Sequence, residues 1–137
     1  YYFADTHILN RGRKQTAYIS PMRDAIDKGL RPTNHTDYLV APLDQMFMVW
    51  TAVWRVSRGG ETIGRGQRVT PLEALKAITI DAAYQYGEED TKGSLAPGKL
   101  ADLVILDGNP LEVNILSIKD IKVIETIKNG KTIYSAR

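Results

Sequence analysis

The sequence predicts a chain of mixed α/β to α+β class, with helices first and strands last. Helix-start signals precede runs of helical apolar spacing in the first two thirds of the chain. The last third holds a short apolar run at residues 101–106 that contains β-branched residues. It also holds the pair Asn129-Gly130 between two β-prone runs, the strongest short-range signal for a hairpin.

Composition excludes several classes of protein. The chain has 137 residues, of which 43% are hydrophobic and 25% charged, as in an ordinary globular domain. Its net charge of +2, with both signs interspersed, does not favour a nucleic-acid partner. The lack of cysteine excludes disulfides and thiolate metal sites. No apolar run approaches the ~20 residues of a membrane-spanning helix, so no membrane partner is expected.

The start of the chain gives no targeting signal. It begins with Tyr1 and not with Met or a signal-like segment, so we expect the natural N-terminus to be missing. The compartment therefore stays open, with the cytoplasm favoured over export.

The first third of the chain is predicted to contain one clear helix. Residues 1–3 could end a strand, and residues 5–14 are predicted to form a loop because Gly12 and several charges interrupt them. The helix begins at Ser20-Pro21, with Ser20 as its N-cap, and stops near Gly29. Residues 33–37 are either a short polar strand or a loop.

Two further helices follow. Residues 43–57, introduced by Pro42, are apolar nearly all round, which predicts burial on several sides against partners that the chain itself does not fully supply. Thr70-Pro71-Leu72-Glu73 is a helix start with a capping box, and that helix should run to Gly87.

The string at residues 93–107, GSLAPGKLADLVILD, resembles the closing motif GxLxxGKxADLVxxD of metal-dependent amidohydrolases. The string at residues 35–42, HTDYLVAP, resembles the HSDxPVxP pattern of the YtcJ-like branch, amidohydrolase family 3. The helices between these strings come in the family's order, so the resemblance spans nearly the whole chain. The sequence departs from the pattern at Tyr38 and Leu39, where the family usually has a small residue and proline.

This resemblance implies the C-terminal part of such an enzyme. Residues 1–92 would be the last βα units of a (β/α)8 metallo-hydrolase barrel, and residues 93–137 the C-terminal strands of a small composite β-sandwich. A complete barrel needs roughly 200 residues, so the rest of the barrel is an expected partner. The signature residues Gly93, Gly98, Lys99 and Asp102 would be structural and not catalytic.

The resemblance also implies hydrolysis of non-peptide carbon–nitrogen bonds, such as amides or N-acyl groups, by metal-activated water. Asp37 falls on the family aspartate that binds the metal and acts as general base. From the residues alone, Asp37 is more typical of a loop or turn-capping aspartate.

Other candidate residues carry weaker signals. In a strand, His35 and Asp37 would point to the same side, so His35 either lines the substrate pocket or supports the aspartate. A structural, hydrogen-bonded histidine is equally compatible. Asp5 is assigned at most to the pocket lining, His7 is expected in solvent, and Arg55 is interpreted as a cation that favours a helix C-terminus.

The implied cofactor is a divalent metal, zinc by preference, in the full-length enzyme and acting on a small amide-type substrate. No tight metal binding is expected in this chain, because one aspartate cannot replace the three ligands of a catalytic zinc. The isolated chain should be inactive. It should also expose apolar surface, chiefly from the helix at residues 43–56, and therefore form a homo-oligomer or a swapped assembly.

Two alternatives remain. One is a non-catalytic binding or self-association module that needs no metal. The other is a domain with an unrelated hydrolytic site, against which the sequence offers no Ser/His/Asp or paired-carboxylate arrangement of familiar spacing.

Overall fold

Helices fill the first part of the chain and strands the last part in a computed structural model that describes residues 1–136. This order confirms the mixed class expected from the sequence. No helix within those residues is long and apolar enough to cross a membrane. The α-helices are α1 (Ala4–Thr16), α2 (Met22–Asp27), α3 (Gln45–Trp54), α4 (Pro71–Ala77) and α5 (Ile80–Gln85). The strands are β1 (Leu103–Leu106), β2 (Val123–Lys128) and β3 (Lys131–Ser135), and 3-10 helices span Arg65–Gln67 and Ile115–Asp120.

The first helix, α1, corrects two expectations. Residues 1–3 form no strand, and residues 5–14 lie in a helix and not in a loop. The acidic Asp5 in the first turn and the basic Arg13 and Lys14 in the last suit the helix dipole. Gly12, with φ 77° and ψ 162°, kinks the helix, and the segment carries no broad apolar stripe, so periodicity did not reveal it.

The second helix starts one residue later than expected. Ser20 has a positive φ of 49° and does not cap; the N-cap of α2 is Pro21, which has no capping side chain. Gly29, with φ 77°, ends this stretch as predicted. Residues 33–37 were predicted to be either a strand or a loop, and they form a loop. The backbone amide of Asn34 donates a hydrogen bond to the Ala77 carbonyl at 3.2 Å, which fixes this loop to the end of α4.

The apolar helix α3 is covered by the chain itself, contrary to the expectation that it would be the main exposed apolar surface. Asp44 caps it by accepting a hydrogen bond from the Phe47 amide at 2.9 Å. It packs against α4 and the 3-10 helix Ile115–Asp120, whose Ile118 is fully buried. The buried apolar core comprises Met22, Met46, Val49, Trp50, Ala52, Val53, Val69, Ala74, Ala77, Ile118 and Ile121.

The capping box before α4 is confirmed, with Thr70 and Glu73 bonded reciprocally. The single helix expected up to Gly87 is broken at Thr79, where φ is −127° and ψ −96°, so that α4 and α5 are separate. The turn at Gly93 packs against α5. A Cβ at this glycine would lie 2.7 Å from Cβ of Ala83, so no larger residue fits.

The three strands form one antiparallel sheet in the order β1-β2-β3. Asn129 and Gly130 both have positive φ, 48° and 75°, as the predicted hairpin turn requires. Much of the exposed apolar surface lies on this sheet and on the segment before α3. Its members include Tyr38, Leu39, Val40, Leu43, Val104, Ile105, Ile124, Ile133 and Tyr134.

Candidate functional site

A cleft of about 390 Å³ opens between the start of the chain, α3 and the loop at residues 34–42. Its walls are mostly apolar, and its ionisable side chains besides tyrosine are His7, His35, Asp37 and Arg55. The other lining residues are Tyr1, Tyr2, Phe3, Ala4, Ile19, Ser20, Met22, Asn34, Thr36, Val40, Ala41, Pro42, Phe47, Met48, Thr51, Ala52, Val56 and Ile63. The folded chain thus brings the four residues considered above, from three separate segments, to one cavity.

Asp37 and His35 lie on an exposed turn that lines the cleft. Asp37 has a φ of 52°, a left-handed conformation that Asp and Asn adopt more readily than most residues. Its backbone oxygen accepts from the Val40 amide at 2.6 Å. Its carboxylate makes none of the side-chain hydrogen bonds found within residues 1–136, so it remains available for a ligand or a water molecule.

The backbone of the same turn contacts the side chain of His35. Nδ1 of His35 accepts a hydrogen bond from the Asp37 amide at 3.1 Å. This hydrogen bond orients the imidazole ring against the backbone of the Asp37 turn.

His7 is a cleft residue that sequence reasoning missed. It was expected in solvent on a loop, but it is half-buried in α1 and lines the cleft. The signal that could have found it is the helix itself, because residues four apart, such as Phe3 and His7, share one helix face.

Asp5 is not among the side chains that line the cleft. Its carboxylate accepts hydrogen bonds from Oγ of Ser57 at 2.5 Å and from the Gly59 amide at 2.8 Å. These two bonds lower the pKa of Asp5. The geometry gives Asp5 the task of joining α1 to the turn after α3, and its assignment to a substrate pocket stays a prediction.

Arg55 ends α3 in a left-handed conformation, with φ 51°. Its guanidinium reaches three carbonyls outside that helix: Nε donates to Ile63 at 2.7 Å, Nη1 to Ser20 at 3.0 Å and Nη2 to Ile19 at 2.6 Å. Burial is the main cause that lowers the pKa of Arg55, and nearby Arg68 adds to it. The side chain thus ties two loops to the cleft instead of acting on the carbonyls of its own helix.

The signature residues lie away from the cleft. Gly93 and Gly98 have positive φ, 85° and 88°. Nζ of Lys99 donates to the Glu89 carbonyl and, at 2.7 Å, to Oγ of Ser94. Oδ1 of Asp102 accepts from the Asn129 amide at 2.8 Å, which ties the start of β1 to the hairpin turn. These contacts organise turns, and the exclusion of the four residues from chemistry stays a prediction.

The cleft does not form a metal centre by itself. Within residues 1–136, no three His, Cys, Asp or Glu side chains are grouped so that they could hold a metal ion. A catalytic zinc usually has three protein ligands and one open position. The residues of this chain alone therefore do not fit such a site, although the Asp37 carboxylate could contribute one ligand.

Comparison with a family model gives a match over residues 2–134, and that model describes the amidohydrolase family. The chain is 30% identical over 114 residues to N-substituted formamide deformylase of Arthrobacter pascens, covering 83% of this chain and 21% of that protein. It is 26% identical over 129 residues to YtcJ of Bacillus subtilis, and this match covers 92% of this chain and 24% of that protein. It is 29% identical over 117 residues to imidazolonepropionase of Treponema denticola, and this match covers 83% of this chain and 26% of that protein.

The fold is also similar to a solved structure, that of an amidohydrolase from Thermotoga maritima. The TM-score is 0.62 at 23% identity, over 83% of this chain and 26% of that one. The chain thus spans about a quarter of the length of each protein compared.

Proposed function

This chain belongs to the amidohydrolase family, and we propose that it is the C-terminal segment of a hydrolase that cleaves carbon–nitrogen bonds in small molecules. Relatives whose names denote action on an N-substituted formamide or an imidazolonepropionate support this class of reaction. The proposed substrates are amides, N-acyl compounds or cyclic amides. The activity belongs to the whole protein, and the isolated chain is inactive because it holds only part of the site.

The observation that carries the proposal is the position of Asp37. Its carboxylate lies at a cleft and makes none of the hydrogen bonds within the described residues. A carboxylate placed in this way can accept a proton from an attacking water and return it to the leaving amine. The neighbouring His35 holds the turn that presents it.

We include a divalent metal, zinc by preference, in the complete enzyme. Asp37 would supply one ligand, and the others would come from parts of the protein outside this chain. Such a metal, when bound, makes water a nucleophile near neutral pH.

The fold of the complete protein forms part of the same proposal. Residues 1–92 would close a (β/α)8 barrel and residues 93–137 would complete a small composite β-sandwich. The likeness to the Thermotoga maritima amidohydrolase supports this arrangement. In the barrel, the loop at residues 33–37 would sit at the end of the eighth strand, where catalytic groups of this architecture gather.

The test is the full-length, metal-loaded enzyme and its Asp37→Asn variant, assayed on N-substituted formamides, N-acyl amino acids and cyclic amides. Asn tolerates the left-handed backbone of residue 37, so the fold should survive. We expect kcat to fall on the order of 10³-fold, the scale of general acid–base catalysis. Asp120→Asn, at an exposed aspartate away from the cleft, is the matched control.

Full activity of the Asp37→Asn variant would show that Asp37 has no catalytic role and serves only the turn. A parent enzyme that hydrolyses none of the panel would contradict the proposed reaction class.

A second candidate function is a non-catalytic self-association module, favoured by the apolar sheet surface that includes Ile105 and Ile133. In this case the isolated chain forms dimers or larger species. Sedimentation over a hundredfold range of concentration tests this point, and a monomer throughout would contradict it.

A further inference from the structure

We infer that Asn129 is a site of covalent modification by water, at which its side-chain amide is lost as ammonia, and that Asp102 slows this reaction in the folded protein. The reacting groups are the side chain of Asn129 and the backbone nitrogen of Gly130, which lie in the turn between β2 and β3. Neither the cleft nor a metal takes part, so the inference goes beyond the proposed hydrolase activity and does not depend on it.

The reaction is a cyclisation followed by hydrolysis. The backbone nitrogen of Gly130 gives up its proton to solvent base and forms a bond to Cγ of Asn129. The bond from Cγ to Nδ2 then breaks, and Nδ2 takes up a proton and leaves as ammonia. Water adds to the cyclic imide and opens it on one side of the ring nitrogen or the other, which gives an aspartate or an isoaspartate at position 129. One water is consumed, one ammonia is released, and nothing is oxidised or reduced.

The residue that follows Asn129 removes the main steric obstacle to cyclisation. Glycine has no Cβ, so its backbone nitrogen can approach the side chain of the preceding residue without a clash. The chain has five asparagines, and Asn129 is the one that precedes a glycine. Asn109 precedes Pro110, whose backbone nitrogen has no proton to give up and cannot form the imide. Asn109 is therefore an internal negative control.

The side chain of Asn129 is also less restrained than those of most other asparagines. It is exposed, and it makes none of the side-chain hydrogen bonds found in the described part of the chain. Nδ2 of Asn34 donates to a backbone carbonyl at 3.3 Å. The side-chain oxygens of Asn109 and Asn114 accept from backbone amides at 3.0 and 2.9 Å. The fifth asparagine, Asn10, lies within α1 and precedes a bulky arginine.

Two hydrogen bonds hold the turn in the folded protein. The Gly130 amide donates to the Ala101 carbonyl at 3.0 Å, and the Asn129 amide donates to Oδ1 of Asp102 at 2.8 Å. The attacking nitrogen is thus engaged by an acceptor on the segment that leads into β1. It reaches Cγ of Asn129 when the turn opens locally, so the rate of modification follows the opening equilibrium. Asp102 protects Asn129 because it stabilises the closed turn.

Either product would disturb the hairpin. The pairing of Lys128 with Lys131 depends on a two-residue turn in which both residues have positive φ, 48° and 75°. An isoaspartate carries the backbone through its side-chain carbon and adds one backbone atom to this turn, so the register cannot be kept unchanged. An aspartate places a second negative charge beside the carboxylate of Asp102. Modification should therefore weaken the pairing of β2 with β3.

The competing explanation is that the hairpin holds Asn129 too firmly to react and that Asp102 only stabilises the sheet. The two explanations differ in the rate of amide loss at position 129. A purely structural Asp102 does not change that rate, whereas a protecting Asp102 does.

The experiment incubates the full-length protein at neutral and mildly alkaline pH, once folded and once in guanidinium chloride. Cleavage after Glu125 releases a fragment in which Asn129 is the one asparagine up to Arg137. Mass spectrometry of this fragment measures amide loss, and enzymatic methylation identifies isoaspartate. We expect Asn129 to react ahead of the other asparagines, at a rate that rises with pH because the attacking group is a deprotonated amide. The rate in denaturant should exceed the folded rate by about 10- to 100-fold, the effect of two hydrogen bonds.

Asp102→Ala in the folded protein tests the protection directly. This variant removes one of the two acceptors and should raise the rate of amide loss at Asn129 about three- to tenfold. Asp102→Asn keeps a side-chain oxygen that can accept the same hydrogen bond, so its rate should stay closer to that of wild type. Asp120→Ala, at an exposed aspartate outside the hairpin, is the matched control and should leave the rate unchanged.

An Asn129 that stays intact in the folded protein, or that reacts no faster than Asn10, Asn34 or Asn114, would overturn the inference. Equal rates at Asn129 in folded Asp102→Ala and Asp120→Ala would overturn the role of Asp102. If Asp102→Ala fails to fold, wild type still decides, because equal rates with and without denaturant would show that the closed turn gives no protection.

Discussion

The apolar helix α3 and the β-sheet of this chain differ in how far their apolar residues are buried. In the helical region, the most apolar element, α3, buries Val49 completely. In the sheet, Ile133 on β3 keeps 64% of its surface exposed. Val104 and Ile105 are consecutive on β1, so their side chains point to opposite faces of the sheet, and both are exposed. A helix can be covered by neighbours that follow it in sequence, whereas a sheet needs a whole second layer. The sheet is therefore one of the places, with the segment before α3, where apolar side chains of this chain stay uncovered.

The largest expected effect would break the helical side of the comparison. Gly64 has a φ of 60°, and a Cβ there would lie 1.8 Å from the backbone oxygen of Ala17. Because neither backbone can move aside cheaply, Gly64→Ala should lower the free energy of unfolding by more than about 4 kcal/mol. Urea denaturation of the purified chain measures this loss.

Gly66→Ala is the matched control for this change. It lies two residues away with nothing within 4 Å of its Cβ position and should change stability by less than about 0.5 kcal/mol. A tolerated Gly64→Ala would mean that the contact between the two loops is looser than the structure shows.

The next prediction sharpens the comparison between the two regions. Ile118→Ala removes a side chain that is 0% exposed, and we expect a loss of about 3 kcal/mol from the cavity that it leaves. Ile133→Ala makes the same chemical change on the exposed sheet and should cost less than about 1 kcal/mol. Thermal unfolding of the two variants side by side is the measurement. Equal losses would show that the isolated chain covers its sheet by association.

The smallest predicted effect concerns the cap of α4. The ion pair with Arg23 and the hydrogen bond from the Thr70 amide lower the pKa of Glu73, the acidic residue of this cap, to about 2. A folded-state pKa below the unfolded value of about 4.3 stabilises the fold above that pH, and the stabilisation is lost as pH falls toward 2. About a quarter of each paired side chain is exposed, so solvent screening limits the contribution to about 1–2 kcal/mol.

The test is urea denaturation of wild type and Glu73→Gln between pH 6 and pH 2. The difference in the free energy of unfolding between wild type and Glu73→Gln should be constant near pH 6 and should shrink below about pH 4.5. A difference that persists unchanged at pH 2 would contradict the role of the carboxylate charge.

Features encoded within a few residues were predictable from the sequence. The capping box of Thr70 and Glu73 and the hairpin turn of Asn129 and Gly130 both form as predicted, because each depends on backbone groups at most a few positions away. The family was also recognisable, since the string at residues 93–107 is a sequence pattern.

Features that depend on distant contacts were not predictable. The cover of α3 comes from Ile118, more than sixty residues later, and no local pattern indicates it. Two of the three carbonyls that accept from Arg55 lie 35 and 36 residues earlier in the chain, so the pattern around Arg55 does not indicate them. The helix α1 was missed because it is polar and kinked at Gly12. The roles of Asp37, His35 and Asp5 stay predictions.

The burial of Ile118 also determines what should happen when the backbone is cut. Ile118 and Ile121 lie after the loop at residues 93–102 in the sequence, and they complete a core whose other buried members precede that loop. A single cut in that loop, for example after Gly98, would therefore leave two pieces that still need each other. Each piece alone should be poorly folded, and mixing them should restore the structure by fragment complementation.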